Sequence, residues 1–123
     1  MVGVDIVQIA RIETFVKRFG QKGLERFLNA SEIDLAKKTE TIAGFWAAKE
    51  AIAKALGCGI GKELSFKDIT IYKKPSGAPH FSLSPKALQR FPIKSASLSI
   101  AHDGGFAIAV VAIELDSPTS DKS

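Results

Sequence analysis

The amino-acid sequence predicts an α+β fold, with an antiparallel sheet packed against one long helix and several short ones. The long helix is indicated by apolar residues at a 3.6-residue spacing from about Thr41 to Leu56, with alanine at many remaining positions. The sheet is indicated by alternating apolar residues and turn sequences, which dominate the second half of the 123-residue chain. A chain of this size buries a core of its own, so we expect one domain over residues 1–115.

The first half of the chain begins with a strand at residues 1–9, in which the apolar residues alternate and Asp5 falls in the opposite phase. Helical spacing starts at Arg11 and is interrupted at Gly20 and Gly23. A further short helix is predicted to start at Ser31, whose hydroxyl would cap the first turn. Several short helices therefore precede or flank the long one.

The second half of the chain reads as strands joined by turns and one short helix. Each apolar run alternates or is strand-sized, and the intervening segments contain Pro, Gly, Ser or Asp. In order, these segments are a strand at 66–72, a turn at 73–79, a strand at 81–83, a helix at 84–90, a strand through 98–102, a turn at 103–105 and a strand from 106.

The composition of the chain, and a start that does not resemble a targeting segment, favour a cytoplasmic protein without a membrane partner. No apolar stretch approaches the roughly 18 residues that a membrane-spanning helix needs. Asp5 interrupts the apolar start, which does not resemble a signal peptide. The single cysteine, Cys58, has no second cysteine or nearby histidine for a zinc site. Residues 116–123 are polar, and we expect them to form a disordered tail.

The chain is mildly basic, with a net charge of +4 and an isoelectric point of about 9.3. Such a charge favours acidic partners, which include nucleic acids, acidic proteins and phosphorylated small molecules. Arg11, Arg18 and Lys22 are spaced to share one helical face. One hypothesis is therefore a non-catalytic basic module that binds nucleic acid, although the chain has no aromatic base-stacking motif on a basic strand.

Two carboxylates in different contexts indicate a chemical site. Asp5 lies in an apolar strand, where an unpaired charge is costly unless a metal ion, a basic side chain or water meets it. Glu50 lies in the long helix one turn before Lys54, so these two side chains are neighbours. Together the three residues suggest a site for a metal ion and a phosphate. Separately, each is also compatible with an ordinary ion pair.

Three segments resemble the holo-acyl-carrier-protein synthase family, the short bacterial-type branch of the 4′-phosphopantetheinyl transferases. They are Gly3 to Val7, Phe45 to Gly57 and Leu98 to Asp103, in this order along the chain. The resemblance implies transfer of the phosphopantetheine arm of coenzyme A to a serine of an apo acyl carrier protein, with release of adenosine 3′,5′-bisphosphate. It also implies the α+β fold of that family and a homotrimer with active sites at subunit interfaces.

The resemblance assigns roles to the candidate site residues. Asp5 and Glu50 match magnesium-binding carboxylates, which agrees with the oxygen ligands that Mg²⁺ prefers. Lys54 matches a lysine near the coenzyme A diphosphate, where it would help to neutralise charge on the leaving oxygen. The proton of the carrier serine could be removed by Glu50 or by water on the metal ion.

Three further residues match binding positions of the family. Gly57 and His102 match residues that contact the nucleotide part of coenzyme A, and Arg11 matches a basic residue on the helix that docks the carrier protein. The chain also departs from the family pattern in three places, which concern nucleotide binding more than the reaction. Phe45 stands where Arg is common, Ala78 where Lys is common, and Ala101 where a hydroxyl residue is usual.

A metal-dependent phosphoesterase is another hypothesis for the same carboxylates. In that reaction water, instead of a serine, would accept the phosphoryl group. Hydrolysis of coenzyme A without a carrier protein would distinguish this function from group transfer.

Overall fold

The computed structural model describes residues 1–116, so all but the first residue of the tail predicted at 116–123 lies outside the described residues. The mixture of helices and antiparallel strands confirms the predicted α+β class. They are β1 (Val2–Gln8), α1 (Ile9–Phe27), α2 (Ala30–Leu35), α3 (Thr39–Ala55), a short 3₁₀ helix (Phe66–Asp68), β2 (Ile69–Lys73), β3 (Pro79–Leu83), α4 (Pro85–Arg90), β4 (Ile93–Asp103) and β5 (Phe106–Leu115).

The strands form two antiparallel sheets instead of one. The larger sheet has the order β1-β5-β4, and the smaller consists of β2 and β3. Within the larger sheet Asp5 lies opposite Ala109, and Ala109 lies opposite Ile100 on the third strand. Asp5 and the end of β4 near His102 are thus separated by the central strand β5.

Helix α3 packs closely on the larger sheet because both surfaces carry small residues. A Cβ atom added to Gly3 would lie 2.0 Å from the carbonyl oxygen of Ala51, so only glycine fits at this crossing. At the other side of the sheet, a Cβ atom on Gly44 would lie 2.8 Å from the Cγ2 atom of Ile100. The first half of α3 therefore packs on β4, and its second half packs on β1.

The opposite face of the larger sheet is apolar and exposed. The alternation of β1 and β5 directs one set of residues into the core against α3 and the other set outward. The outward set comprises Val2, Val4, Ile6, Phe106, Ile108 and Val110, whose exposed fractions range from 37% to 72%. A contiguous apolar face of this kind is typical of an interaction surface.

Two details of the helices differ from the sequence-based expectation. Gly20 has φ 59° and ψ −144°, so α1 changes direction there while Gly23 remains helical. The change of direction means that Lys22 does not continue the helical face of Arg11 and Arg18, and the prediction of one basic face was wrong in this respect. Helix α2 is capped by Asn29, two residues before the predicted cap at Ser31.

Candidate active site

Asp5 and Lys54 form an ion pair where β1 meets the last turn of α3. The Nζ atom of Lys54 donates a hydrogen bond of 2.8 Å to Oδ1 of Asp5. The Asp5 side chain is 15% exposed and that of Lys54 is 54% exposed, so solvent reaches the pair from the side of the lysine. The hydrogen bond to Asp5 and its negative charge raise the pKa of Lys54, which stays protonated.

Glu50 lies beside this pair and is half-buried. Burial and the negative charge of Asp5 raise the pKa of Glu50 above its ordinary value, and the charges of Lys54 and Arg11 oppose this only in part. Arg11, in the first turn of α1, therefore also faces the carboxylates. Among residues 1–116 no hydrogen bond or ion pair to the Glu50 carboxylate is found, in contrast to Asp5. The carboxylate of Glu50 is thus available to a ligand.

This donor set fits a magnesium ion that also binds a substrate. Asp5 and Glu50 supply hard carboxylate oxygens, and their mutual repulsion would be relieved by a cation between them. Within the described residues no group of three or more His, Cys, Asp or Glu side chains could hold a metal ion. Two carboxylates leave positions for phosphate oxygens and water, which is the usual pattern for Mg²⁺.

The loop that follows α3 begins at Gly57, as predicted. This residue has φ 83°, and its N–H donates a hydrogen bond of 3.0 Å to the carbonyl oxygen of Lys54. Gly57 is therefore held beside the lysine of the site. Burial and the negative charge of Glu63 raise the pKa of the Cys58 thiol, which argues against a nucleophilic cysteine in this loop.

His102 lies in a different place, on the opposite side of α3. It lines a cavity of about 210 Å³ between the start of α3, the β2–β3 hairpin and β4. At 100° per residue, Phe45 in the cavity wall projects about 140° away from Glu50 around the helix axis. From Thr41, also in the cavity wall, α3 rises about 20 Å to Lys54. In one chain, the predicted residues therefore fall into two groups.

Several residues of this cavity were not predicted from the sequence. They are Glu40, Thr41, Tyr72, Lys73 and Pro79, together with Phe45, which was noted only as a departure from the family pattern. Phe45 is buried and forms an apolar wall in place of the usual arginine. Ala78 lies in the adjoining hairpin turn, where its carbonyl oxygen accepts a hydrogen bond of 2.8 Å from the N–H of Lys74. Lys73 and His102 supply the basic groups of the cavity.

The outer surface of α1 combines positive charge with an exposed aromatic ring. The guanidinium groups of Arg18 and Arg26 lie 5.2 Å and 4.9 Å from the centre of the Phe19 ring. Arg11 lies on the same helix, and its positive charge acts on Glu50. None of the helices within residues 1–116 is long and apolar enough to cross a membrane.

Comparison with known proteins agrees with this architecture. Residues 1–111 match the model of the 4′-phosphopantetheinyl transferase superfamily. The holo-[acyl-carrier-protein] synthase of Wolinella succinogenes is 62% identical over 114 residues, which cover 93% of this chain and 97% of that protein. The crystal structure of the Helicobacter pylori synthase in complex with coenzyme A has a TM-score of 0.89 and 59% identity, and covers 93% of this chain and 100% of that one.

A more distant structure has the same fold. The synthase from Neisseria meningitidis has a TM-score of 0.83 and 36% identity, with 92% of this chain and 96% of that chain covered. The matches extend from β1 through α3 to β5, so they include both carboxylates, Lys54 and His102. The chain belongs to the 4′-phosphopantetheinyl transferase superfamily, in its branch of holo-[acyl-carrier-protein] synthases.

Proposed function

We propose that this protein transfers the 4′-phosphopantetheine group of coenzyme A to a serine of an apo acyl carrier protein, with Mg²⁺ as cofactor and adenosine 3′,5′-bisphosphate as the second product. The observation that carries the proposal is the grouping of Asp5, Glu50 and Lys54 where β1 meets the end of α3. Two carboxylates and an ammonium group are suited to a metal–diphosphate substrate. Family membership selects group transfer over hydrolysis.

Each residue of the site would have its own role in the reaction. Asp5 and Glu50 would hold Mg²⁺, which supplies neutralisation of the diphosphate charge. Lys54 binds the diphosphate and places its positive charge near the oxygen that leaves with the nucleotide. The proton of the attacking serine hydroxyl would pass to Glu50, whose carboxylate has no ion-pair partner within residues 1–116, or to water on the metal ion. Gly57 adjoins Lys54 and allows the substrate to approach the backbone.

The nucleotide end of coenzyme A fits the cavity that contains His102. Its volume of about 210 Å³ and its apolar walls at Phe45, Ile100 and Pro79 suit a planar base. Lys73 and His102 at its rim suit a phosphate group. In this protein Lys73 would therefore supply a positive charge that the family usually takes from the positions of Phe45 and Ala78.

The separation of the two groups of residues supports a homotrimer. The carboxylates and the His102 cavity lie on opposite sides of α3, so one chain alone does not surround a single coenzyme A molecule. The exposed apolar face formed by β1 and β5 offers the surface needed for assembly. In a ring of three chains, the carboxylates of one subunit would meet the His102 cavity of the next.

The carrier protein would dock on α1. An acidic helix of the carrier would meet Arg11, Arg18 and Arg26, with Phe19 as an apolar contact between the charges. Arg11 lies next to Glu50, so docking on this helix would bring the carrier serine to the carboxylates. The basic surface is thus assigned to an acidic protein and not to nucleic acid.

Intact mass measurement of the carrier protein tests the proposal. The protein is incubated with coenzyme A, Mg²⁺ and an apo acyl carrier protein, with a parallel sample in EDTA. A gain of one phosphopantetheine arm, lost in EDTA, is expected. Cleavage of coenzyme A without a carrier would instead indicate a phosphoesterase. No reaction with either substrate, together with salt-dependent binding of DNA or RNA, would indicate the nucleic-acid-binding module.

A further inference from the structure

Lys49 and Glu32 form an ion pair that is completely buried and lies outside the candidate active site. The Nζ atom of Lys49 is 2.8 Å from Oε1 of Glu32, and both side chains are 0% exposed. No step of the proposed reaction uses either residue. A buried ion pair is seldom more stable than apolar residues of the same size, so its presence calls for another explanation.

Every hydrogen-bonding group of this pair is satisfied. Lys49 also donates to the carbonyl oxygen of Phe27 at 2.7 Å and to that of Phe66 at 3.0 Å. Glu32 accepts from the N–H of Asn29 through Oε1 and from the N–H of Ile71 through Oε2, both at 2.6 Å. Through these contacts one side chain of α3 is tied to the end of α1, to α2, to the 3₁₀ helix and to β2.

The contacts of neighbouring residues fix α3 from the other side. Ala51 is fully buried, and its carbonyl oxygen lies directly against Gly3 of β1. Lys49 and Ala51 immediately flank Glu50 in the sequence, and they project about 200° apart around the helix axis. The two contacts therefore hold α3 against rotation, and they set the direction in which Glu50 points.

Aromatic rings surround the same cluster. Trp46, one turn before Glu50, packs on Phe27 and Phe66 with ring centres 4.9 Å and 4.8 Å apart. These are the two residues whose carbonyl oxygens accept hydrogen bonds from Lys49. The rings exclude water from the ion pair, and rotation of α3 would break both the ring contacts and the hydrogen bonds.

We infer that the buried Lys49–Glu32 pair is a positioning device that sets the rotation of α3 and thereby aims Glu50 and Lys54 at Asp5. The expected effect on the reaction rate rests on the proposed function, whereas the expected change in structure does not. An apolar replacement of the pair would restore favourable burial but would supply no directed contacts to Phe27, Phe66 and Ile71.

The test replaces both members of the pair, with Lys49→Met and Glu32→Leu in one protein. We expect a folded protein with a lower melting temperature, because backbone groups of four residues, Phe27, Asn29, Phe66 and Ile71, lose their buried partners. Well below that temperature its kcat for carrier modification should fall about 10- to 100-fold, as for reacting groups displaced by about 1 Å. The concentration of Mg²⁺ that gives half of the maximal rate should rise, while KM for the carrier protein stays unchanged. The matched control removes the exposed pair of Arg90 and Glu63 by substitution of both with Gln and should leave all three values unchanged.

A second, more conservative variant tests the inference if the double variant does not fold. Glu32→Asp keeps the charge but shortens the side chain by one methylene group, which would draw Lys49 toward α2. It should lower kcat several-fold at temperatures well below its melting temperature. If either folded variant retains the wild-type kcat and Mg²⁺ dependence, the pair is only structural and the inference is wrong.

Crystal structures of wild-type protein and the folded variants separate this inference from the proposed function. A positioning role predicts that the contact of 2.8 Å between Lys54 and Asp5 is lengthened or lost in the variants. An unchanged contact would contradict the inference even if the rate fell. Absence of carrier modification by the wild-type protein would refute the proposed function and leave this structural comparison valid.

Discussion

Lys54 donates a 2.8 Å hydrogen bond to Asp5, whereas Glu50, one turn earlier on the same helix, has no such partner among the described residues. The two candidate metal-binding carboxylates are therefore in different electrostatic states before any ligand binds. The charge of Asp5 is balanced by the ammonium group of Lys54. The charged form of Glu50 is instead destabilised by partial burial. A bound cation would stabilise Glu50 most, and it would compete with Lys54 for Asp5.

The first prediction concerns the two carboxylates. Asp5→Asn and Glu50→Gln should each lower the rate of carrier modification by about 100-fold or more, because each removes a charged oxygen donor from the site. Both proteins should keep their circular dichroism spectra. Glu114→Gln, which removes an exposed carboxylate elsewhere on the sheet, is the matched control and should react normally. Near-normal rates in both site variants would contradict the metal assignment.

Lys54→Met should separate substrate binding from stability. The lysine is more than half exposed, so solvent screens its side of the ion pair, but Asp5 is only 15% exposed and loses its partner. We therefore expect a modest fall in melting temperature. KM for coenzyme A should rise markedly because the diphosphate loses a cation. Arg90 is as exposed as Lys54, and Arg90→Met, which breaks its ion pair with Glu63, should leave KM unchanged. Equal KM values for coenzyme A in the two variants would show that Lys54 does not bind the diphosphate.

The raised pKa of Glu50 predicts how stability depends on pH in the absence of divalent cations. Between the ordinary pKa of a glutamate and the raised value, the folded protein binds more protons than the unfolded chain, so its stability falls as pH rises. Glu50→Gln should therefore gain stability relative to wild type as pH is raised through this window. Above the raised pKa the difference should be constant. Thermal unfolding of both proteins in EDTA, from about pH 4 to about pH 8, measures this difference in stability. A difference that stays constant over the whole range would contradict the prediction.

Gly3→Ala should disturb the contact between β1 and α3. The added methyl carbon would lie 2.0 Å from the carbonyl oxygen of Ala51 and 2.9 Å from the amide nitrogen of Ala55, so the helix must move away from the strand. Overpacking of this kind costs about 1–3 kcal/mol or more. Chemical denaturation should show a loss in this range together with reduced activity. Gly61→Ala is the control because nothing lies within 4 Å of its added carbon.

The exposed apolar face predicts the assembly state. Val4→Asp and Ile108→Lys place charges on the outward face of β1 and β5, where association would bury them without partners. Light scattering after size exclusion should give a trimer for the wild-type protein and smaller species for these variants. Leu88→Lys introduces a charge at another exposed apolar residue, on α4, and should leave the mass unchanged. A monomeric wild-type protein would contradict the homotrimer.

The sequence was sufficient for the parts of the molecule that depend on local pattern. The spacing of α3 and the chemistry of Asp5, Glu50 and Lys54 predicted a shared site, and the structure brings these residues together. The position of His102 was not predictable in the same way, because the strand order decides on which side of α3 it lies.

The buried pair shows where sequence reasoning failed. Glu32 follows the predicted helix start at Ser31, and nothing in that local pattern indicates its burial, which depends on packing against Lys49 and β2. One signal was present in the sequence. Lys49 occupies a position in the apolar 3.6-residue pattern of α3, and a lysine at such a position requires a buried partner.

The placement of the carboxylates and the His102 cavity on opposite sides of α3 has a genetic consequence. If each complete site takes one half from each of two neighbouring chains, two inactive mutant proteins can restore each other. Coexpression of Glu50→Gln with a His102→Ala variant would give mixed rings in which about one quarter of the junctions contain both intact halves. The two inactive alleles would then complement each other, and a cell carrying both would still modify its carrier protein.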